Sequence, residues 1–215
     1  MKKMQPKHVF LNFINEYVKD FYKSYDFEFS ESQLAFKRKL SNGFVQTIKF
    51  SGNLRNTEGF IIKYGDQYLV YCSTYKSWWT KNFPQIPLIG SGYLNTNNES
   101  LIKMNHAIRN GTEYDFLKSP KEEIMNELKS NFIDFGLTFF TDNENWEKLS
   151  EKAGSKLTEI DALILSSQFE RANNYIIETM TEYLGYYGNE SKMNASARQS
   201  FEILKSRKEY LKKWL

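Results

Sequence analysis

Apolar positions along the chain follow two different periods, and the change from one to the other predicts the architecture. Over residues 7–23, Phe10, Ile14, Tyr17 and Phe21 recur at spacings of four, three and four, and Val9, Phe13 and Val18 widen the stripe. That spacing predicts an amphipathic helix, with Pro6 where a first turn tolerates it, and a stripe this wide suits a helix laid on a sheet. From residue 26 to residue 80 the period shortens to two. Leu34, Phe36, Arg38 and Leu40 alternate with Ala35, Lys37 and Lys39, and Phe44, Gln46, Ile48 and Phe50 alternate with Val45, Thr47 and Lys49. Asn42-Gly43 between them predicts a tight hairpin, because both residues accept the positive φ such turns need. Phe60–Tyr64 and Tyr68–Ser73 read as two further strands around a turn at Gly65-Asp66. The expected product is an antiparallel meander with one face on the first helix and a lysine-bearing face toward water.

Residues 81–99 break both periods. Pro84, Pro87, Gly90 and Gly92 forbid a helix, yet Ile86, Leu88, Ile89, Tyr93 and Leu94 are too apolar for a free linker. A second hairpin is expected from residues 101–109 and 112–116 across Asn110-Gly111. Ser119-Pro120-Lys121-Glu122 has the form of a capping box with Pro at the first helical position. The helix it opens carries Ile124, Leu128 and Phe132 and is expected to stop before Gly136. Leu137–Phe140 then reads as a strand or buried turn, and a short acidic helix starts at Asp142–Trp146. Thr158 and Asp161 mark a further start, after which Leu165, Phe169, Ala172, Ile176 and Met180 form one helical stripe ending at Gly185 and Gly188. The last helix runs from about Ser191, with Ala197, Phe201, Leu204 and Leu211 on one face, and the short connection predicts an antiparallel helix pair.

The reading is therefore an α+β fold: an antiparallel β-meander packed against an N-terminal helix, followed by a C-terminal helical region ending in an antiparallel helix pair. Residues 1–118 are expected to hold the first helix and the sheet, and residues 119–215 a mainly helical region packed on it as one compact domain.

Composition narrows the function classes. The 215 residues include one cysteine, so an intramolecular disulfide framework is excluded. No apolar run approaches the roughly 18 residues that span a bilayer. A 16% aromatic content argues against wholesale disorder. Met1-Lys2-Lys3 resembles the start of a signal peptide, but Lys7, His8, Asn12, Asn15 and Glu16 interrupt any apolar segment, and a cytoplasmic location is expected. The net charge of +3 is unevenly placed. Residues 141–190 hold four basic and ten acidic residues, whereas residues 191–215 hold seven basic and two acidic. Either the two helices compensate one another, or the basic tail meets an acidic partner.

The chain offers little catalytic chemistry. Its two histidines, His8 and His106, are not in a metal-ligand spacing, no Cys-x-x-Cys occurs, and no metal site or cofactor is expected. Cys72 lies in an apolar strand, where a cysteine behaves as a small hydrophobe, and pairing with His106 would need spatial coincidence. Gly90-Ser91-Gly92 lacks the third glycine and the following helix of a phosphate cradle. Glu127-Leu128-Lys129 lacks the strand carboxylate that nuclease chemistry would require.

The densest aromatic and cationic cluster is Tyr75, Lys76, Trp78, Trp79 and Lys81. Exposed, it could stack bases or sugars or anchor a protein; buried, it is where sheet meets loop. These five are the candidate partner-binding residues. Lys205, Arg207, Lys208, Lys212 and Lys213 on the last helix are the alternative, a nucleic-acid contact, although they fall on more than one side of it.

The element order, with Gly136-Leu137-Thr138-Phe139-Phe140 and then Ile164-Leu165-x-x-x-Phe169-Glu170-x-Ala172, resembles bacterial domain-of-unknown-function proteins of this size, some found near polymorphic-toxin immunity genes. The resemblance implies an interaction role and brings no catalytic residues. The expectation is a non-enzymatic protein-interaction module, immunity-like, with a protein partner. The alternatives are a nucleic-acid-binding protein and an enzyme of unrecognised type.

Overall fold

The computed structural model describes residues 5–72, 74–86, 113–152 and 156–215, with side chains described except at residues 152 and 156–159. The chain forms two compact units: Met1–Tyr71 with Asn98–Glu144, and Cys72–Asn97 with Asn145–Leu215. The division does not fall at residue 118. Residues 121–142 go with the sheet, and residues 74–86 go with the C-terminal helices.

In the first unit, the N-terminal helix is α1 (Pro6–Phe13), a π-helical turn at Ile14–Val18, and α2 (Lys19–Lys23). The sheet has five strands in the order of the chain: β1 (Glu28–Ser30), β2 (Ala35–Lys39), β3 (Phe44–Gly52), β4 (Lys63–Cys72) and β5 (Tyr114–Asp115). The meander expected from period two is present. Phe36 pairs with Ile48 across β2 and β3, and Tyr64 with Tyr114 across β4 and β5. Gly43, at φ 87°, closes the expected hairpin, with the Leu40 amide donating to the Phe44 carbonyl at 2.8 Å. Of the second expected hairpin, residues 114–115 form β5, and residues 101–109 lie outside the described residues.

Three readings are corrected here. Gly65-Asp66 is not a turn: β4 runs through it as one ten-residue strand, and every second residue, Tyr64, Asp66, Tyr68, Val70 and Cys72, is buried. A polar residue at an inward position therefore mimicked a turn signal. Nor does the helix stop before Gly136. Residue 136 has helical φ and ψ, and α4 (Lys121–Asn131) continues through a π-helical turn at Phe132–Gly136 into α5 (Leu137–Asp142). Gly136 is needed for close approach instead. A Cβ there would meet the Phe132 ring at 2.9 Å and the Tyr68 ring at 3.1 Å. The capping box is not formed either: Pro120 occupies the N-cap with extended ψ, and no side chain caps α4.

Aromatic rings fill the core between the helices and the sheet. Phe10 stacks on Tyr64 at 4.1 Å between centroids, and Phe132 meets Tyr22 and Tyr25 edge-on at 5.1 and 5.0 Å. The opposite sheet face is only partly open. Lys39 and Lys49 are exposed, whereas Ala35, Val45 and Thr47 are buried.

The second unit is helical: α3 (Tyr75–Asn82), α6 (Trp146–Lys152), α7 (Lys156–Leu165), α8 (Phe169–Tyr187) and α9 (Ala195–Leu211). The stripe from Leu165 to Met180 is split between α7 and α8, because Ser167 takes φ 63° and ends the first helix. A left-handed residue interrupts a helix without changing its hydrophobic spacing, so the break left no mark in the pattern. The final pair is antiparallel. Phe169, at the start of α8, stacks on Trp214 beyond the end of α9 at 5.1 Å, and Tyr183, near the end of α8, packs on Phe201. Gly188, at φ 79°, ends α8, and the Asn194 side chain caps α9 by accepting from the Ala197 amide at 2.9 Å.

Candidate partner-binding site

Trp78 and Trp79 lie on a helix, not on a strand, and this changes what each can reach. On a helix, residues four apart share a face. Tyr75 and Trp79 therefore point together into the interior, where both are buried, while Trp78 is half-buried and Lys76 and Lys81 are exposed. Two of the candidate partner-binding aromatics are thus core residues. Trp79 donates its indole N–H to the Ile86 carbonyl at 2.8 Å, which fixes the loop leaving α3.

These aromatics surround Arg207, the central member of the alternative set. Arg207 is only 1% exposed and cannot contact nucleic acid as placed. Its Nε and Nη2 donate to the two Asp161 carboxylate oxygens at 2.7 and 2.9 Å. The Tyr75 hydroxyl donates to the same carboxylate at 2.6 Å. The guanidinium lies over the rings of Phe83 and Trp79, 3.8 and 4.1 Å from their centroids. Burial and the Asp161 charge push the Tyr75 hydroxyl far up, with Arg207 opposing, so the phenol stays protonated and remains a donor. A planar cation over two aromatic rings, bidentate to a carboxylate and donating to the Ser206 hydroxyl at 3.2 Å, is well compensated for its burial.

The two sets of residues separated by more than 120 positions are therefore brought together, but largely as structure. Of the remaining cations, Lys205 pairs with Glu190 at 2.5 Å and Glu202 at 3.1 Å, and Lys212 pairs with Glu209 at 2.6 Å. Lys208 and Lys213 are exposed, the latter with its ammonium 5.5 Å from the Tyr210 ring centroid.

What faces solvent beside this cluster is a groove of about 360 Å³ within the second unit. Phe83, Pro84 and Ile86 line it from the loop after α3, and Tyr210, Lys212 and Lys213 from the end of α9. Phe83, itself buried, and half-buried Tyr210 meet at 5.6 Å beneath it, and Lys212 and Lys213 share the rim with Glu209. Cations at this end also complement the partial negative charge of the helix C-terminus.

The other candidates are dispersed. His8 is exposed on α1. Cys72 is buried, with Sγ 3.2 Å from the Thr74 hydroxyl. His106 and Gly90-Ser91-Gly92 lie outside the described residues. Glu127 is exposed on α4. Among the described residues, no group of three or more His, Cys, Asp and Glu side chains could hold a metal ion, and no helix is long and apolar enough to cross a membrane.

Three residues escaped the sequence reading. Asp161 reads as a helix-start signal but sits inside α7. Phe83 carries no periodic signal, since it follows α3 in an irregular loop. Asp66 has a signal, its even parity with Tyr64, Tyr68 and Val70. No protein-family model, no curated protein and no solved structure matches the chain.

Proposed function

We propose that this protein is a non-enzymatic protein-interaction module whose second unit receives an acidic segment of a partner protein, with an apolar side chain of that segment seated against Pro84, Ile86 and Tyr210. The observation that carries the reading is the solvent-facing groove with an aromatic floor, with Lys213 and the Glu209-paired Lys212 on its rim. An aromatic floor supplies apolar area at low cost in side-chain entropy, and rim lysines steer an acidic partner and set its register. The rigid Arg207–Asp161 cluster behind the floor supports the reading, because a preorganised surface loses less entropy on binding. The unpaired thiol is consistent with action in the cytoplasm, and the resemblance to immunity-like bacterial proteins suggests that the partner is an effector protein.

A nucleic-acid contact has less behind it. Arg207 is enclosed, Lys205 is shared between two glutamates and Lys212 is paired with Glu209, which leaves Lys208 and Lys213. The deciding experiment is affinity capture from nuclease-treated host lysate with the wild-type chain and with a Lys212→Glu/Lys213→Glu variant, each washed at low and high salt. The expected result is one stoichiometric protein that the wild type retains and the variant loses. Equal capture by both chains, or recovery of nucleic acid that salt removes, would sink the proposal.

A further inference from the structure

The core of the first unit contains polar atoms that the protein does not satisfy. Asp66 is 6% exposed, and neither of its carboxylate oxygens accepts a hydrogen bond from the protein. The hydroxyls of Tyr22 and Tyr68, at 0% and 1% exposure, are likewise without partners. Asp66 and Tyr68 stand two residues apart on the inward side of β4, and Tyr22 projects from α2. The three side chains form one neighbourhood: the Tyr22 and Tyr68 rings both pack on Phe132, at 5.1 and 6.4 Å between centroids, and burial raises both hydroxyls, with the Asp66 charge adding a smaller push. Tyr68 and the Asp66 amide approach the carboxyl closely enough to favour its charged form, but neither completes a hydrogen bond of ordinary geometry.

Four buried oxygens from three side chains are an uncommon concentration, since nearly all buried polar groups in folded proteins are hydrogen-bonded to protein or ordered water. A direct contact between any two of them would still leave others unmatched. A hard cation is a poor occupant: it would draw on six or more oxygens and several carboxylates, and one buried carboxylate is all this site has. Water fits the donor and acceptor inventory. Each tyrosine hydroxyl can donate to a water oxygen, and the water can donate to the carboxylate, which gives the two to four polar partners that a buried water needs.

We propose that Asp66, Tyr22 and Tyr68 enclose an internal water-binding site in which bound water bridges the carboxyl group to the two tyrosine hydroxyls. The other ionisable groups facing it are Tyr114 on β5 and Glu127 on α4. Tyr114 accepts from the Asn131 side-chain amide at 3.0 Å, which leaves its own O–H as a further donor toward the same water. The bound water would tie the N-terminal helix to the sheet at the one inward β4 position that carries a charge.

The test is a high-resolution crystal structure of the wild-type chain at neutral pH, with water-to-protein nuclear Overhauser effects in solution as a second reading. The expected result is an ordered water within about 2.6–3.2 Å of an Asp66 oxygen and of at least one of the two hydroxyls. In a Tyr22→Phe/Tyr68→Phe double variant that water should lose occupancy. A direct Tyr68–Asp66 hydrogen bond with no water between the groups would overturn the proposal. So would an unaltered water in the double variant.

Discussion

Arg207 on α9 and Asp161 on α7 form a bidentate ion pair, at 2.7 and 2.9 Å, with both side chains almost fully excluded from solvent. A third contact, from Tyr75 on α3, makes the carboxylate the meeting point of three helices. Removing either partner leaves an uncompensated buried charge, which typically costs 3–5 kcal/mol, whereas replacing both by apolar side chains of similar size is often nearly neutral. Arg207→Met and Asp161→Leu should therefore each destabilise by about 3–5 kcal/mol. The double variant should recover much of that loss. Denaturant unfolding of the four chains measures the cycle, and additive losses would show that the two side chains do not act as a pair.

Trp79 separates the structural part of the aromatic cluster from its exposed part. Trp79→Ala should cost about 3–5 kcal/mol, the usual penalty for deleting a buried aromatic. Lys76→Ala and Lys81→Ala should stay within about 0.5 kcal/mol, as surface changes do. Thermal melting distinguishes them. A Trp79→Ala protein with wild-type stability would mean that the indole is not part of the core.

Asp66 predicts an unusual pH dependence. Burial, with a smaller push from Glu127, raises its carboxyl from 3.8 to about 6. A carboxyl raised on folding costs stability while it is ionised in both states, above about pH 6. As pH falls from about 6 toward 4, the folded protein takes up a proton that the unfolded chain does not yet hold, so this group's contribution improves. Below about pH 4 nothing further changes. Two units correspond to at most about 3 kcal/mol. Asp66→Asn cannot titrate, so the stability of the wild type relative to this variant should rise across that window. Parallel stability curves from pH 7.5 to 4.5 would contradict the assignment.

Two helical glycines should respond oppositely to alanine. At Gly185, exposed on α8, nothing lies within 4 Å of a new Cβ, and Gly185→Ala should stabilise by about 0.5–1 kcal/mol through helix propensity. At Gly136 the new atom would meet two buried aromatic rings at 2.9 and 3.1 Å, and overpacking of about 1–3 kcal/mol should exceed the same propensity gain. Melting temperatures of the two variants should move in opposite directions. A stabilising Gly136→Ala would show that the Tyr68 ring can shift.

Hydrophobic periodicity determined the elements. The N-terminal helix, the meander with its Asn42-Gly43 turn, and the antiparallel C-terminal pair all follow from local spacing, since a side chain's face depends only on its own element's period. Periodicity did not determine where elements end or what polar residues do. The helix through Gly136 and the break at Ser167 depend on tertiary packing and on a single backbone angle. Asp66 and Asp161 are of the residue type that marks turns and helix starts, and Arg207 of the type that marks a basic surface. Only the chain's three-dimensional course decided otherwise, by burying Asp161 and Arg207 against each other and Asp66 among tyrosines. The cost of a buried charge depends on which partner lies across the gap, and that partner, 46 residues away for Asp161 and Arg207, leaves no trace in local sequence.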